Sequence, residues 1–167
     1  MAEPEFKRRS FLNDDIYEVL TRQHGEAKEM LDSLSRTSAE SAEDVRKRQT
    51  TSHRLVAELI SHNEAESLTL YKRLLEFEDI RNRVEEHRRE HETVDTELQG
   101  LLNVNVEDDA WLEKLLEIKK AVERHIEDEE NRLFPEARKL LDRGEAKAFV
   151  GKYTYLQDLR KNLMQPA

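Results

Sequence analysis

The chain of 167 residues has no cysteine, only three prolines and only four glycines. The missing cysteines exclude disulfides, thiolate metal sites, iron–sulfur clusters and thiol catalysis. The scarcity of turn residues argues against a β-sandwich or a doubly wound α/β sheet, because both need frequent turns or glycine-rich loops. No apolar run approaches the roughly 20 residues of a membrane helix, and residues 1–10 lack the apolar core of a signal peptide. We therefore expect one mostly helical domain over residues 1–167 that is cytoplasmic and not associated with a membrane.

Charged residues are abundant, and acidic ones predominate. The 37 Asp and Glu residues outnumber the 28 Lys and Arg residues, which gives a net charge of −9. A nucleic-acid interface needs clustered basic side chains, so we expect no nucleic-acid partner, and the short basic segment 46–48 is expected to be a solvated helix surface. The hydrophobic fraction of 37% is low. It fits long amphipathic helices if the apolar residues recur at helical spacing.

Apolar residues do recur every three or four positions in four segments, which places them on one face of each predicted helix. The four stripes are Ile16, Leu20, His24, Ala27, Leu31 and Leu34; Leu55, Leu59, His62, Glu66, Leu70 and Leu74; Ile80, Val84, His87, His91, Val94, Leu98 and Leu101; and Trp111, Leu115, Ile118, Val122, His125, Glu129 and Leu133. Short connections between these helices predict an all-α fold, an antiparallel up-down-up-down four-helix bundle over about residues 10–142. An extra C-terminal helix over about residues 145–162 is expected at one edge or end.

Local signals predict where the helices begin and end. Asn13 is a candidate N-cap of the first helix, and Ser41 followed by Asp44 fits the capping pattern of the second. Pro135 lies inside the fourth helix, where it removes a backbone donor, and it predicts a bend in that helix. Gly144 is the expected residue just beyond the end of the fourth helix.

Seven ionisable residues occupy stripe positions that otherwise belong to the core. Burying unpaired carboxylates and imidazoles costs several kcal/mol, so groups aimed at one core need a common partner. Few basic side chains share the stripes, and a bound metal is therefore the predicted partner. Nitrogen and oxygen ligands without thiolate suit iron or manganese, and also zinc. The candidate metal ligands are His24, His62, Glu66, His87, His91, His125 and Glu129.

Helical geometry separates these candidates from their neighbours. His53 lies nine residues before His62, about 180° away around the helix, so it is expected to face solvent. Glu129 lies about 40° around the helix from His125, whereas Glu130 lies about 140° away. Glu129 is therefore the predicted ligand, and Glu130 is the alternative if a local bulge near the proline turns it inward.

One motif occurs twice, with every position offset by 63 residues. The equivalent pairs are His62 and His125, Glu66 and Glu129, and Tyr71 and Phe134. The first and third stripes also match, less closely, so that His24 corresponds to His91. Two helical hairpins related in this way would place their ligands around a pseudo-two-fold axis, as a two-metal site requires. His87 has no counterpart in this repeat.

The chain resembles the hemerythrin-like (HHE cation-binding) family over about residues 10–142. The resemblance is carried by His24, "HNEAE" at 62–66, "HRREH" at 87–91 and "HIEDEENRLFP" at 125–135. It implies a four-helix bundle around two non-haem irons joined by an oxo or hydroxo bridge, with the five histidines as terminal ligands and Glu66 and Glu129 as bridging ligands. Oxygen-carrying hemerythrins are similar, but their last carboxylate is an Asp one residue further from its His. The chain is more similar to the broader HHE group.

The implied ligand set leaves one position open on two six-coordinate irons. Such a position suits a small ligand such as O₂, peroxide or nitric oxide, and it does not suit a bulky organic substrate. The hypotheses are oxygen binding or sensing, a di-iron catalase, peroxidase or NO-handling enzyme, iron sensing or storage, and a metal-free helical interaction module. No protein partner is identified by the sequence.

Residues beside the stripes are candidates to orient the ligands. Asp95, Glu58 and Arg132 each lie within about one turn of a predicted ligand, and a solvated flank is the alternative for all three. Tyr17 lies two turns before His24 and could reach the pocket as a hydrogen-bond donor or radical-quenching neighbour, but a packed aromatic residue is the favoured alternative.

Overall fold

A computed structural model describes residues 13–165, and within that range the protein is helical without a β-strand. The predicted start of the bundle near residue 10 lies outside the described residues. The all-α prediction is confirmed. The five long helices are α1 (Ile16–Ser35), α2 (Ala42–Glu66), α3 (Glu78–Leu101), α4 (Asp109–Asp128) and α5 (Arg143–Met164). None of the helices in this described range is long and apolar enough to cross a membrane.

The starts of α1 and α2 are set by side-chain caps. Asp15 caps α1 by accepting the Glu18 N–H at 2.9 Å, and the Glu18 carboxylate accepts the Asp15 N–H at 3.3 Å. The prediction of Asn13 as the cap is wrong, because only Asp15 has a glutamate three positions later to complete a capping box. At α2 the predicted cap is confirmed, since the Ser41 hydroxyl accepts the Asp44 N–H at 3.3 Å.

Two π-helical turns follow the long helices α2 and α4. Residues Ser67–Tyr71 join α2 to the short helix Lys72–Leu74, and residues Glu129–Leu133 join α4 to the helix Phe134–Leu140. Pro135 lies in the first turn of the second short helix, where a missing N–H is tolerated. The irregularity expected at the proline is thus a π turn just before it, and a second π turn occurs at the equivalent place without any proline.

The end of the fourth predicted helix differs from the expectation. The helix stops at Leu140, and Leu141 is extended, with φ −111° and ψ 132°. Asp142 then caps α5 by accepting the Glu145 N–H at 2.8 Å. Gly144 therefore lies inside the first turn of α5, and no described glycine has a positive φ. The prediction of Gly144 as a helix end is wrong, because the Asp142 cap restarts a helix before that residue.

The packing of the helices buries every residue of the four predicted stripes. Helix α1 contacts α2 and α4, α3 also contacts α2 and α4, and α5 lies against α2 and α1. The apolar residues form two clusters, one around Leu20, Leu70 and Tyr153 and the other around Leu31 and Trp111. The ionisable stripe residues belong to neither cluster, so each apolar cluster covers one side of a buried polar layer.

One basic residue departs from the expected solvated surface. Arg48 is 2% exposed, and its guanidinium lies 4.8 Å from the centre of the Trp111 ring. It donates to the Thr37 hydroxyl and carbonyl and to the Val106 carbonyl, at 2.6 to 2.8 Å. Arg48 therefore ties together the loops that follow α1 and α3, and the prediction of solvent exposure is wrong for this residue because neutral oxygens satisfy its donors.

Candidate metal centre

The seven candidate ligands lie in the polar layer between the two apolar clusters. Glu66 and Glu129 are 0% exposed, and none of the five histidines exceeds 8%. Helices α1 and α2 supply His24, His62 and Glu66, α3 supplies His87 and His91, and α4 with its π turn supplies His125 and Glu129. The sequence pattern therefore places all seven side chains in the protein interior.

Each carboxylate lies between two imidazoles, one from its own helix and one from a neighbouring helix. The Glu66 Oε2 lies 3.4 Å from the His62 Nε2 and 3.5 Å from the His91 Nε2. The Glu129 Oε2 lies 3.6 Å from His125 Nε2 and 3.2 Å from His24 Nε2. The His91 and His125 Nε2 atoms are 3.0 Å apart. Six of the seven candidates thus converge, with the pseudo-two-fold pairing that the repeat predicts.

Several of the converging atoms are buried without a hydrogen-bond partner. Among residues 13–165, the His24 Nε2, both Glu66 carboxylate oxygens and the Glu129 Oε2 have no such partner. Leaving a buried acceptor unsatisfied costs about 1 to 3 kcal/mol, and more for a charged group. A cation surrounded by these lone pairs would satisfy them together. The donor set of imidazole nitrogens and carboxylate oxygens therefore fits a metal.

The two carboxyl groups are driven to opposite protonation states. Burial, reinforced by the charge of Glu129, raises the pKa of Glu66 well above its ordinary value. Burial also acts to raise the pKa of Glu129, but the His24 imidazole 3.2 Å away and the charges of His125 and His24 outweigh it and hold that pKa well below its ordinary value. Burial opposes the charge on His24, yet the adjacent carboxylates of Glu129 and Glu130 raise its pKa to about 8.

The imidazoles of His62 and His91 are held neutral. Burial, with a contribution from His24, lowers the pKa of His62 to about 3. Burial and the neighbouring His125 lower the pKa of His91 well below its ordinary value. A neutral imidazole is the form that coordinates a metal, so both rings are in the state that binding requires.

His87 is the candidate that lies apart from the carboxylates. Its Nδ1 is 3.2 Å from the His125 Nδ1, and its Nε2 is 2.9 Å from the Asp128 Oδ2. The Glu90 carboxylate lies beside the same pair, 2.6 Å from the His125 Nδ1. One ligand atom from each of His87, Glu90 and His125 lies within 4.8 Å of the others, which makes this trio a possible metal-binding group. His87 therefore contacts the converging cluster through the outer side of His125.

Other polar side chains hold the far nitrogens of the rings, as is common for metal-binding histidines. The His24 Nδ1 is 2.9 Å from the Glu130 carboxylate, and the His91 Nδ1 is 3.3 Å from the Ser67 hydroxyl. Glu130 thus contacts His24 from outside the cluster, while Glu129 lies within it. Ser67 and Glu130 each directly follow a candidate carboxylate in the sequence. A polar residue next to a ligand is the signal that sequence reasoning overlooked.

Two tyrosines also contact the cluster and were not predicted to do so. The Tyr71 hydroxyl donates to the Glu129 Oε1 at 2.5 Å, and its ring stacks on His91 with centroids 5.1 Å apart. Tyr153 of α5 lies 3.0 Å from the His62 Nδ1. Tyr71 was visible as part of the repeated motif. Tyr153 had no such signal, because it lies in a helix without any candidate ligand.

The residues predicted beside the stripes have other contacts. Glu58 pairs with Lys161, and the Arg132 side chain is 69% exposed. Asp95 accepts a bond from Asn63 at 2.7 Å, and burial raises its pKa to about 6. The solvated alternative is thus correct for Arg132, Glu58 is half-buried, and His53 is exposed as predicted.

The Tyr17 ring is packed among other side chains, as expected. Its centroid lies 5.3 Å from that of Phe134, and the Arg138 guanidinium carbon lies 4.3 Å from the Tyr17 ring. Within the described residues its buried hydroxyl has no hydrogen-bond partner. Tyr17 therefore contributes to packing beside the cluster.

A small cavity adjoins the converging imidazoles. His24, His62, His91 and His125 line one part of it, together with Asn63. The remainder of the lining is apolar, consisting of Leu59, Val94, Val122 and Ile126. The space is sufficient for about one water-sized molecule. The cluster thus opens onto a mostly apolar space of the size of a small inorganic ligand.

A helical protein whose buried histidines and glutamates surround a common point belongs to the class of helical cation-binding proteins. The family model of the hemerythrin HHE cation-binding domain matches residues 15–137. The chain therefore belongs to the hemerythrin HHE cation-binding domain family. Comparisons with curated proteins and with solved structures give no match.

Proposed function

We propose that this protein is a non-haem di-iron protein that binds a small ligand, O₂, peroxide or NO, for oxygen binding or sensing. Its irons would be held by the six converging residues and by His87, with Glu66 and Glu129 bridging them. When bound, the iron pair supplies electrons and one open coordination position for the small ligand. Membership of a cation-binding family supports metal binding. The choice of iron and the number of two follow from the family resemblance and the paired geometry.

The observation that carries this proposal is the pair of fully buried carboxylates, each between two imidazole nitrogens. A purely structural network would need a donor for each carboxylate oxygen. Within residues 13–165 neither oxygen of Glu66 has a hydrogen-bond partner, although the His62 and His91 Nε2 atoms lie 3.4 and 3.5 Å from one of them. A cation at this point would satisfy the carboxylate oxygens and the facing imidazole nitrogens together, and this supports the proposal.

The arrangement of the helices is part of the proposal. We infer an antiparallel up-down-up-down bundle from the contacts of α1 and α3 with both α2 and α4, and from the short connections between successive helices. In such a bundle the ligands from all four helices lie at one level. A cytoplasmic location stays a prediction from the sequence.

The residues around the cavity would select the ligand by size and polarity. Leu59, Val94, Val122 and Ile126 exclude water from one side of the site and leave no space for an organic substrate. Apolar surroundings limit the access of solvent to a bound diatomic molecule. They therefore slow its departure as a charged, reduced species. The apolar wall therefore favours reversible binding of a small ligand.

A second candidate function, a di-iron catalase, peroxidase or NO-handling enzyme, is favoured by a separate observation. Glu90 and Asp128 have side chains 34% and 35% exposed, and they contact His125 and His87 respectively. These contacts form a continuous series of ionisable groups from the surface to the cluster. An enzyme that protonates its bound ligand needs such a route.

The metal site is tested by measuring iron content and absorption spectra of the purified protein and two histidine variants. We expect about two irons per chain with charge-transfer bands in the wild type and in His53→Ala, which changes an exposed residue. His91→Ala removes a buried candidate ligand and is expected to abolish stoichiometric iron. Equal iron in the two variants, or zinc or no metal in the wild type, would contradict the proposal.

The two candidate functions are separated by adding O₂ to the reduced protein. A spectral change that reverses when O₂ is removed supports oxygen binding. Irreversible oxidation, together with turnover of added peroxide or NO, supports the enzyme.

A further inference from the structure

Helix α5 contributes to the candidate metal centre although it lies beyond the family match, which ends at residue 137. Its Tyr153 is 0% exposed and lies against His62, with ring centroids 6.1 Å apart at an interplanar angle of 82°. Gln157, one turn later, is 4% exposed. A polar amide and a hydroxyl are thus buried at the one point where α5 reaches the cluster.

These groups meet at the side chain of Gln23. The Tyr153 hydroxyl donates to the Gln23 Oε1 at 2.5 Å, and the His62 Nδ1 lies 2.9 Å from the same oxygen. The amides of Gln23 and Gln157 pair with each other through two bonds. The Gln23 Nε2 donates to the Gln157 Oε1 at 2.8 Å, and the Gln157 Nε2 donates to the Gln23 Oε1 at 3.1 Å.

This pairing determines which nitrogen of His62 carries the proton. Because the Gln23 Nε2 is occupied by Gln157, the amide presents its oxygen, an acceptor, to the His62 Nδ1. The Nδ1 must therefore carry a hydrogen, and the Nε2 keeps its lone pair. That lone pair faces the Glu66 Oε2 at 3.4 Å, at the candidate centre. The contact network thus prepares His62 as a ligand through Nε2.

We propose that Tyr153 and Gln157 are positioning residues for His62, so that α5 sets the affinity of the iron held by the His24 and His62 side of the centre. This proposal rests on the di-iron function proposed above. Tyr153 and Gln157 hold the Gln23 amide, and Gln23 holds the ring and tautomer of His62. Losing such a supporting contact typically costs about 10- to 100-fold in metal affinity.

The other side of the centre lacks this dependence on α5. The His125 Nδ1 is held by Glu90 of α3, and the His91 Nδ1 is adjacent to Ser67 of the π turn after α2. None of these residues lies in α5. A defect confined to α5 is therefore expected to weaken one iron and to spare the other.

The test compares Tyr153→Phe with Tyr155→Phe in stepwise titrations of iron(II) into the metal-free protein without oxygen. Phenylalanine keeps the packing of residue 153 and removes only its hydroxyl. Tyr155 lies on the same helix but is 67% exposed, so its variant controls for the loss of a tyrosine hydroxyl from α5. We expect Tyr155→Phe to match the wild type and Tyr153→Phe to bind one iron normally and the other at least about tenfold more weakly. Gln157→Leu, which removes the amide pair, is expected to weaken the same iron.

The split between the two irons distinguishes positioning from simple destabilisation. A loss of folding would lower the helical circular dichroism signal and weaken both irons equally, and that result would overturn the proposal. Wild-type affinity for both irons in Tyr153→Phe and Gln157→Leu would overturn it as well. Failure of the wild type to bind iron at all would instead contradict the di-iron function on which the proposal rests.

Discussion

The two copies of the repeated motif hold similar groups in different electrostatic surroundings. In the copy at residues 62–71, neutral side chains surround the histidine, with Gln23 and Tyr153 at the His62 Nδ1. In the copy at residues 125–134, the partly exposed carboxylate of Glu90 holds the His125 Nδ1. The Nδ1 of His62 is thus held by neutral groups beneath α5, whereas the Nδ1 of His125 is held by an acidic group near the surface.

The same asymmetry appears in the carboxylates. Burial raises the pKa of Glu66, while the pairing with His24, whose own pKa is raised to about 8, holds the pKa of Glu129 low. Symmetry in sequence therefore does not impose symmetry in charge. In the metal-free protein, the first motif contains a neutral carboxyl group and the second an ion pair. Single substitutions can test this difference in charge between the two motifs.

The largest expected effect comes from replacing the carboxylate of Glu129 in the metal-free protein, with the same substitution at Glu66 as the comparison. Gln at position 66 resembles the protonated carboxyl group, so Glu66→Gln is expected to change the free energy of unfolding little. Glu129→Gln leaves the His24 imidazolium with only the partly exposed Glu130 as a partner and is expected to cost about 3 kcal/mol, the lower end of the range for breaking a buried ion pair. Denaturant unfolding of the two metal-free variants near pH 6 measures the difference.

Both substitutions are expected to prevent binding of two irons, so iron content is the matched control. Equal stabilities of the two metal-free variants would show that the carboxylates do not differ in charge, and the comparison between the motifs would then fail.

An intermediate effect is expected from pH, again in the metal-free protein. His24 has a pKa of about 8 in the folded chain against an ordinary 6.5. Its stabilising contribution is therefore complete below about pH 6.5 and is lost as the pH rises through about 8, a difference of about 2 kcal/mol. His62, with its pKa lowered to about 3, acts in the opposite direction, and stability is lost as the pH falls below 6.5. These two histidines together favour maximal stability near pH 6.5, and Glu66, whose raised pKa makes stability fall as the pH rises above about 4.5, moves the maximum to lower pH.

Unfolding curves recorded from pH 5 to pH 9 measure this dependence. His24→Gln should show a smaller decline between pH 6.5 and pH 8 than the wild type, and iron should suppress the decline in the wild type because the metal replaces the proton on the ring. A wild-type stability that does not change between pH 6.5 and pH 8.5 would contradict the assignment of the ion pair to His24 and Glu129.

The smallest effect is expected from the hydroxyl of Tyr71, which donates to Glu129 and has no equivalent at Phe134 in the second motif. Tyr71→Phe is expected to lower the free energy of unfolding by about 1.5 kcal/mol, the lower end of the range for a hydrogen bond to a charged group. Tyr17→Phe is the matched control, because Tyr17 is equally buried and among the described residues its hydroxyl has no hydrogen-bond partner. Thermal unfolding of the metal-free variants compares them, and an equal effect of the two substitutions would contradict a specific role for Tyr71.

Periodicity was sufficient to predict the helical fold and the residues of the polar layer. The stripe from Ile80 to Leu101 corresponds residue for residue to the buried face of α3. It was sufficient because a residue every three or four positions must share a helix face, whatever its chemistry. Ionisable residues on that face were therefore predicted to be buried even though their composition is unlike that of a core.

Periodicity was not sufficient for features that depend on contacts between distant helices or on backbone irregularity. Tyr153 reaches His62 across 91 residues of sequence, and its own helix has no candidate ligand. His87 fits its stripe, yet side-chain rotation places its nitrogens beside His125 and Asp128. The spacing of residues along one helix specifies a face, but it does not specify the direction of each ring or the partner that approaches it.

The π turns that begin just after Glu66 and at Glu129 have a consequence for how the chain accommodates changes in length. Each turn takes up one more residue than an α-helical turn of the same rise, so the helix axis continues while the residues beyond it are rotated by about 100°. Deleting one residue from either turn would restore a regular helix and rotate Leu74 or Ala137, both buried, toward other directions. Each candidate bridging carboxylate therefore lies beside or within a turn that contains one extra residue. The packing on both sides of the metal centre depends on that extra residue.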